Sequence, residues 1–211
     1  MRLLLLAAAG GAALAVASCA TMSRDQCLAG AWGEVGYRDG SDGQPLSLLA
    51  DHEKACAEYG VAPDVIAYSS ARADGLNGYC RWERGFREGR EGDAYHGVCS
   101  AEQEEDFLPA YRDGQRVYAA EQTLTNARSS VESLGSRLEE LDDKIVAKQA
   151  EARAEGLTDE QRDQIRNRIQ EIRRERADTE REWRRAQDAV DDAERDVRDV
   201  RRLFQGVYGG W

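Results

Sequence analysis

Five cysteines are the residues of this 211-residue chain best placed to do chemistry: Cys19, Cys27, Cys56, Cys80 and Cys99. Cys19 stands apart from the rest. It follows Arg2, an apolar run from Leu3 to Val16, and the small pair Ala17-Ser18. A basic start, a short apolar run and small residues at the cut make a secretory signal. A cysteine directly after them fits thioether acylation, with cleavage before Cys19 and lipid on its sulfur. Several acyl chains on one residue hold a protein stably, where a single chain is marginal. Ala20 follows the cysteine, where an aspartate would argue for retention at the inner membrane. The expected location is therefore the outer membrane, facing the periplasm.

The other four cysteines form an even set in an exported chain, which reads as two disulfides in an oxidising compartment. Four cysteines permit three connectivities. The sequential pairs Cys27 with Cys56 and Cys80 with Cys99 close the shortest loops and bracket Gly/Asp-rich segments that turn easily. A metal site drawing on Cys56 or Cys99 with His52 or His96 is the competing chemistry, but no CxxC spacing supports it, and no metal or cofactor is expected.

Other constellations are weaker. Asp39, Ser41 and Asp42 lack the spacing and closing glutamate of a calcium loop. Arg81, Arg84, Arg87 and Arg90 alternate with Glu83, Glu88 and Glu91, as on a solvated edge with local ion pairs. His52 lies between Asp51 and Glu53, a setting for acid–base work. With no nucleophile motif or phosphate loop beside it, a surface helix position is the expectation. No catalytic set emerges, and the chain reads as a non-enzyme.

The elements that position these residues fall into two regions. Up to Gly114 the chain is rich in Gly, Tyr, Trp and Asp, with turn signals at Asp39-Gly40, Asp42-Gly43, Asp74-Gly75 and Asn77-Gly78. Helices are expected from Leu46 to Tyr59, ended by Gly60, and from Ala101 to Arg112, ended by Gly114. Residues 19–114 carry eighteen acidic against nine basic side chains. That balance argues against nucleic acid as a partner. A segment this small buries a modest core, so disulfides make physical sense there.

Beyond Gly114 the apolar residues follow heptads. Val117, Leu124, Val131, Leu138 and Ile145 recur at intervals of seven, with Ala120, Ala127, Leu134 and Leu141 between them. After Glu155-Gly156, Thr158 to Gln161 reads as a capping box. A second seam then runs from Ile165 through Ile169, Ile172, Trp183, Val190 and Val197 to Phe204. A short break between helices of similar length predicts an antiparallel hairpin. With the turn centred on Glu155, Trp183 would face Ala127.

The fold class expected is mainly α: a small disulfide-stapled, Gly/aromatic-rich head followed by a long antiparallel coiled-coil hairpin. The expected division is a signal over 1–18, a lipidated linker over 19–26, the head over 27–114, the hairpin over 115–205, and a segment 206–211 in which Tyr208 and Trp211 pack back on the head.

One resemblance bears on the head. Cys27, Trp32, Gly36, Arg38-Asp39-Gly40 and Gly43 are followed by His52-Glu53-Lys54-Ala55-Cys56, then Gly75-Leu76 with Tyr79-Cys80, then Gly85, Gly89 and Gly92, then Tyr95-His96-Gly97-Val98-Cys99. This series, closed by Phe107, Tyr111 and Gly114, resembles bacterial lipoproteins of the domain of unknown function 2799 family. Ala31 stands where an acidic residue is expected in that pattern. The resemblance implies a lipid-anchored location and a cysteine framework, and implies no activity. The reading is a monomeric envelope protein, held on the membrane by its lipid, that tethers or scaffolds a protein partner through the hairpin. The alternative is a ligand-binding head that holds an envelope glycan or other small molecule in an aromatic cleft.

Overall fold

A computed structural model describes residues 21–209, so Cys19, the signal segment and Trp211 lie outside the described residues. Among those described, the order is α1 (Arg24–Leu28), α2 (Trp32–Ser41), α3 (Leu48–Ala57), α4 (Val65–Tyr79), α5 (Trp82–Glu91), α6 (Ala101–Glu151) and α7 (Asp159–Tyr208), with no strand. Three helices open with a reciprocal cap: Ser23 with Gln26, Ser100 with Gln103, and Thr158 with Gln161. Each box satisfies two backbone donors that a helix start leaves orphaned.

The chain divides into two compact units, residues 21–79 with 96–98, and residues 80–95 with 99–209. Both expected disulfides form, Cys27–Cys56 in the first unit and Cys80–Cys99 in the second. In the first unit Met22, Trp32, Val35 and Tyr68 pack around the Cys27–Cys56 bridge, with Leu49 and Val61 at its margin. Each fully buried large apolar side chain is worth roughly 1.5–3 kcal/mol.

Glycine organises both units, and not in the way its turn signals suggest. Gly40, Gly75 and Gly78 lie inside helices, and α6 runs through Gly114 without ending there. The reason is close helix packing. A Cβ on Gly36 would sit 2.3 Å from the Tyr68 carbonyl oxygen, one on Gly40 2.1 Å from that of Arg72, and one on Gly75 2.3 Å from that of Tyr37. Thus α2 and α4 touch backbone to backbone. The second unit repeats the arrangement: Gly85 against Phe107, Gly89 against Tyr111 and Gly114 against Phe86, at 2.6, 2.0 and 2.1 Å. Of these Asp-Gly pairs only Asp42-Gly43, just beyond α2, turns the chain, with Gly43 at φ 66°, and a Cβ there would strike the Tyr79 ring. Gly92, at φ 82°, meets Tyr118 in the same way. The two helix pairs are copies of one motif. Gly36-Tyr-Arg-Asp-Gly-Ser-Asp-Gly43 answers to Gly85-Phe-Arg-Glu-Gly-Arg-Glu-Gly92.

In the second unit α6 and α7, of 51 and 50 residues, form the hairpin. Val117, Leu141, Ile165, Ile169, Ile172, Ala193, Val197 and Phe204 are buried along its seam. Phe86, Ala110, Val117 and Phe204 close its base, and Tyr208 stacks on Phe86 with ring centres 4.0 Å apart. The register differs from the one centred on Glu155. Arg128 pairs with Glu194 at 2.8 Å, Arg201 with Glu121 at 3.0 Å, and Arg176 with Asp142 at 2.5 Å. The Trp183 indole nitrogen lies 3.7 Å from where a Gly135 Cβ would be. This displaces the pairing by about one heptad from the expected Trp183–Ala127 level. Two features account for it. Gly135 supplies the room that Leu134 alone denies an indole. Residues 152–158 do not form a symmetric turn, and Arg162 reaches back to the Ala152 carbonyl at 3.2 Å.

Candidate functional site

The polar side chains that are buried most completely converge in the first unit. Helix α2 contributes Asp39, α3 contributes His52 and α4 contributes Tyr68, with Asp39 and His52 2 % and 0 % exposed. His52 is thus a core residue, not a surface one. It lies four positions before Cys56, so the α3 face that carries the disulfide also carries the imidazole. His52 Nε2 lies 2.8 Å from Asp39 Oδ2, and the Tyr68 hydroxyl donates to the same oxygen at 2.8 Å. The Met22 backbone N–H donates to His52 Nδ1 at 3.0 Å. That donor fixes the tautomer: Nδ1 accepts, so the ring proton resides on Nε2 and points at Asp39.

The charge of Asp39 is offset by Arg38, whose Nε lies 3.8 Å from Oδ1. Burial pushes the Tyr68 phenol up, and its bond to Asp39 pushes it further. Arg72 spends its guanidinium on the Gln44 carbonyl, at 3.2 and 2.5 Å, which ties the end of the α2 turn to α4.

An aspartate, a histidine and a hydroxyl in a chain have the residue types of acid–base catalysis. Here both imidazole nitrogens are engaged within the fold, Nδ1 by the Met22 N–H and Nε2 by Asp39. What the arrangement does is hold the segment around Met22 against the core. Met22 is 3 % exposed, and its sulfur lies 3.9 Å from Cys56 Sγ.

The copied motif of the second unit fills the same places differently. Glu88 stands in for Asp39, Phe107 for Tyr68, and Tyr95, four residues before Cys99, for His52. Glu88 pairs with Arg84 at 2.6 Å, yet burial raises its carboxyl above the usual glutamate range. The Tyr95 hydroxyl donates to Glu104 at 2.6 Å and accepts from the Cys99 N–H at 3.0 Å. In the first copy the histidine also receives the Met22 N–H, from outside the two glycine-packed helices.

The remaining sequence candidates separate. Asp39 is consumed by the network while Asp42 is exposed, so they do not form a calcium loop. Arg84 and Arg90 engage Glu88 and Glu121 within the second unit, whereas Arg81 and Arg87 are exposed. His96 is exposed. The carboxylates of Glu88, Glu91 and Asp93 gather within 4.8 Å of one another, with Glu88 bound to Arg84. Sequence reasoning missed the burial of His52 and the repeat. The four-residue step from His52 to Cys56 and the matched Gly-x-x-x-Gly-x-x-Gly runs were the available signals.

No curated protein and no solved structure matches the chain. A family model matches over residues 31–116, from the start of α2 into α6, a span that takes in both copies of the glycine-packed motif. Over these residues the chain is similar to the family described as Protein of unknown function (DUF2799).

Proposed function

We propose that this protein is an envelope lipoprotein, anchored through Cys19, with a non-catalytic tethering or scaffolding role carried by the hairpin. The observation that supports this most is the hairpin itself. Helices of 51 and 50 residues rise about 75 Å at 1.5 Å per residue. Their seam is apolar, and their outer faces are laced with exposed ion pairs such as Arg166–Asp163, Arg181–Asp178 and Arg195–Asp192. Such pairs add little stability each, so the length is not there to stabilise the base. Among the described residues no helix is long and apolar enough to cross a membrane, so membrane attachment rests on the lipid in this reading.

The test is a variant that lacks residues 128–193, closed by a short Gly/Ser turn, which keeps the Val117–Phe204 base. Photo-crosslinking in intact cells from exposed positions such as Val146 should give a discrete protein adduct. Abolition of the phenotype of a full deletion only by the full-length arm would support the reading. Full function of the shortened variant would refute it.

The second reading, a ligand-binding head, draws on a cavity of about 350 Å³ in the second unit lined by Phe86, Arg87, Arg90, Glu91, Glu121 and Tyr208. Aromatic and guanidinium groups together suit a glycan or an anionic small molecule. Binding of soluble peptidoglycan fragments that survives removal of 128–193 would favour it.

A further inference from the structure

We infer that the edge of the first unit formed by α1 and the C-terminal end of α3 rests on the lipid surface, with Leu28 and Tyr59 at the boundary of headgroups and acyl chains. The inference rests on the reading of Cys19 as the lipid-bearing residue, and it concerns what that anchor does to the fold.

A lipid anchor usually leaves a protein free to hover when a linker separates the two. Here the fixed structure begins almost at once. Met22 is buried, its N–H is bonded to His52, and Ser23 caps α1 immediately after it. Cys27, one turn further on, is bonded to Cys56. Two residues, Ala20 and Thr21, and so three peptide steps, separate Cys19 from Met22. At no more than about 3.6 Å per residue, the lipidated Cα is within roughly 11 Å of the Met22 Cα. A headgroup layer is about 5–7.5 Å deep, half the difference between a bilayer of about 40–45 Å and its core of about 30 Å, so even the full tether ends only a few ångströms beyond it. The part of the unit around Met22 is therefore forced against the bilayer.

The side chains at that edge suit the place. Leu28 directly follows the bridged Cys27 and is 57 % exposed. Tyr59 follows Cys56 by three residues, is bonded to the Cys56 carbonyl through its N–H, and is 41 % exposed. The disulfide thus brings both apolar groups to one end of the unit. The Arg24 guanidinium lies 6.0 Å from the Tyr59 ring centre, where the pair can bridge a lipid phosphate and the apolar layer. Asp25 and Glu58 are exposed nearby and outweigh the single basic charge of Arg24. The contact is thus apolar and interfacial rather than an attraction to anionic lipid, and a phosphatidylethanolamine surface satisfies it.

The experiment is hydroxyl-radical footprinting of the full acylated chain in phosphatidylethanolamine-rich nanodiscs, beside the Cys19→Ser chain mixed with the same discs. Leu28 and Tyr59 should be oxidised several-fold more slowly in the acylated protein, with no change on raising the salt. Intact mass reports the acyl groups in the same sample. Acylated protein whose Leu28 and Tyr59 react as fast as in Cys19→Ser overturns the bilayer contact and leaves the anchor standing. Absence of acyl mass on Cys19 overturns both.

Discussion

Replacing His52 is the sharpest perturbation of the first unit, because two bonds from different elements end on one buried ring. In His52→Ala, the Met22 N–H loses its acceptor and Asp39 loses one of the two side-chain donors on Oδ2. Each orphaned buried group costs about 1–3 kcal/mol, more for a charged one. The cavity left by the ring adds to this, so the total should be about 3–5 kcal/mol, as for one partner removed from a buried pair. A domain is stable by only about 5–15 kcal/mol, so the first unit would lose a large fraction of its stability. His52→Gln separates the two bonds. Its amide can donate to Asp39 but cannot also receive the Met22 N–H in the same geometry, so the cost should fall to about 1–3 kcal/mol. Hydrogen exchange by mass spectrometry on the Cys19→Ser chain, disulfides intact, reads both. Peptides over 21–28 should exchange roughly tenfold faster for each 1.4 kcal/mol lost, while peptides of α6 and α7 stay as in the parent. In His52→Ala, α2 and α4 should follow. Unchanged exchange over 21–28 in His52→Ala would refute the claim that the imidazole holds the Met22 segment.

Gly36→Ala and Gly89→Ala should each prevent their own unit from folding, since the new Cβ would lie 2.3 and 2.0 Å from backbone oxygen. Gly33→Ala, which has 4.0 Å to the Ala67 oxygen, should fold and gain up to about 1 kcal/mol in helix propensity; thermal melts followed by circular dichroism distinguish the three. A benzophenone side chain at position 183 should crosslink within one chain to residues around Gly135 and leave Ala127 unmarked in tryptic maps; adducts at Ala127 would restore the register centred on Glu155. Burial and the bond to Asp113 push the Tyr208 phenol up to about 12 from its ordinary 10.0. The folded state therefore favours the protonated phenol, and its contribution is whole below pH 10 and lost as pH rises towards 12. Melting temperature between these values should fall less steeply in Tyr208→Phe than in the parent.

The parts of the fold legible in the sequence are those fixed by local pattern. Cysteine parity and loop length yielded both disulfides, Thr158 with Gln161 marked the start of α7, and the heptads of Val117 to Ile145 marked the seam. Where the structure departs, the deciding interaction is with a distant partner. Asp39-Gly40 and Asp74-Gly75 read as turns because a glycine signals backbone freedom, and nothing local reveals that the freedom is spent on an approach to Arg72 or Tyr37. Asp51 and Glu53 made His52 look solvated, although on a helix its neighbours in space are Leu48, Leu49 and Cys56. The hairpin register failed for a related reason. A turn taken as symmetric about Glu155 ignores which side chain finds room, and Gly135, at a position no heptad count marks as special, supplies that room for Trp183.

The alternation of fours and threes along both helices has a consequence for how this arm changes over generations. An insertion in α6 alone would rotate every following apolar residue out of the seam, as would one in α7 alone. A matched heptad in each helix preserves all contacts on both sides of it and moves the tip by about 10 Å. The arm is in that sense a ruler with coarse graduations. Its length can be reset in whole divisions without disturbing the Phe86, Ala110, Val117 and Phe204 base, and intermediate lengths are closed to it.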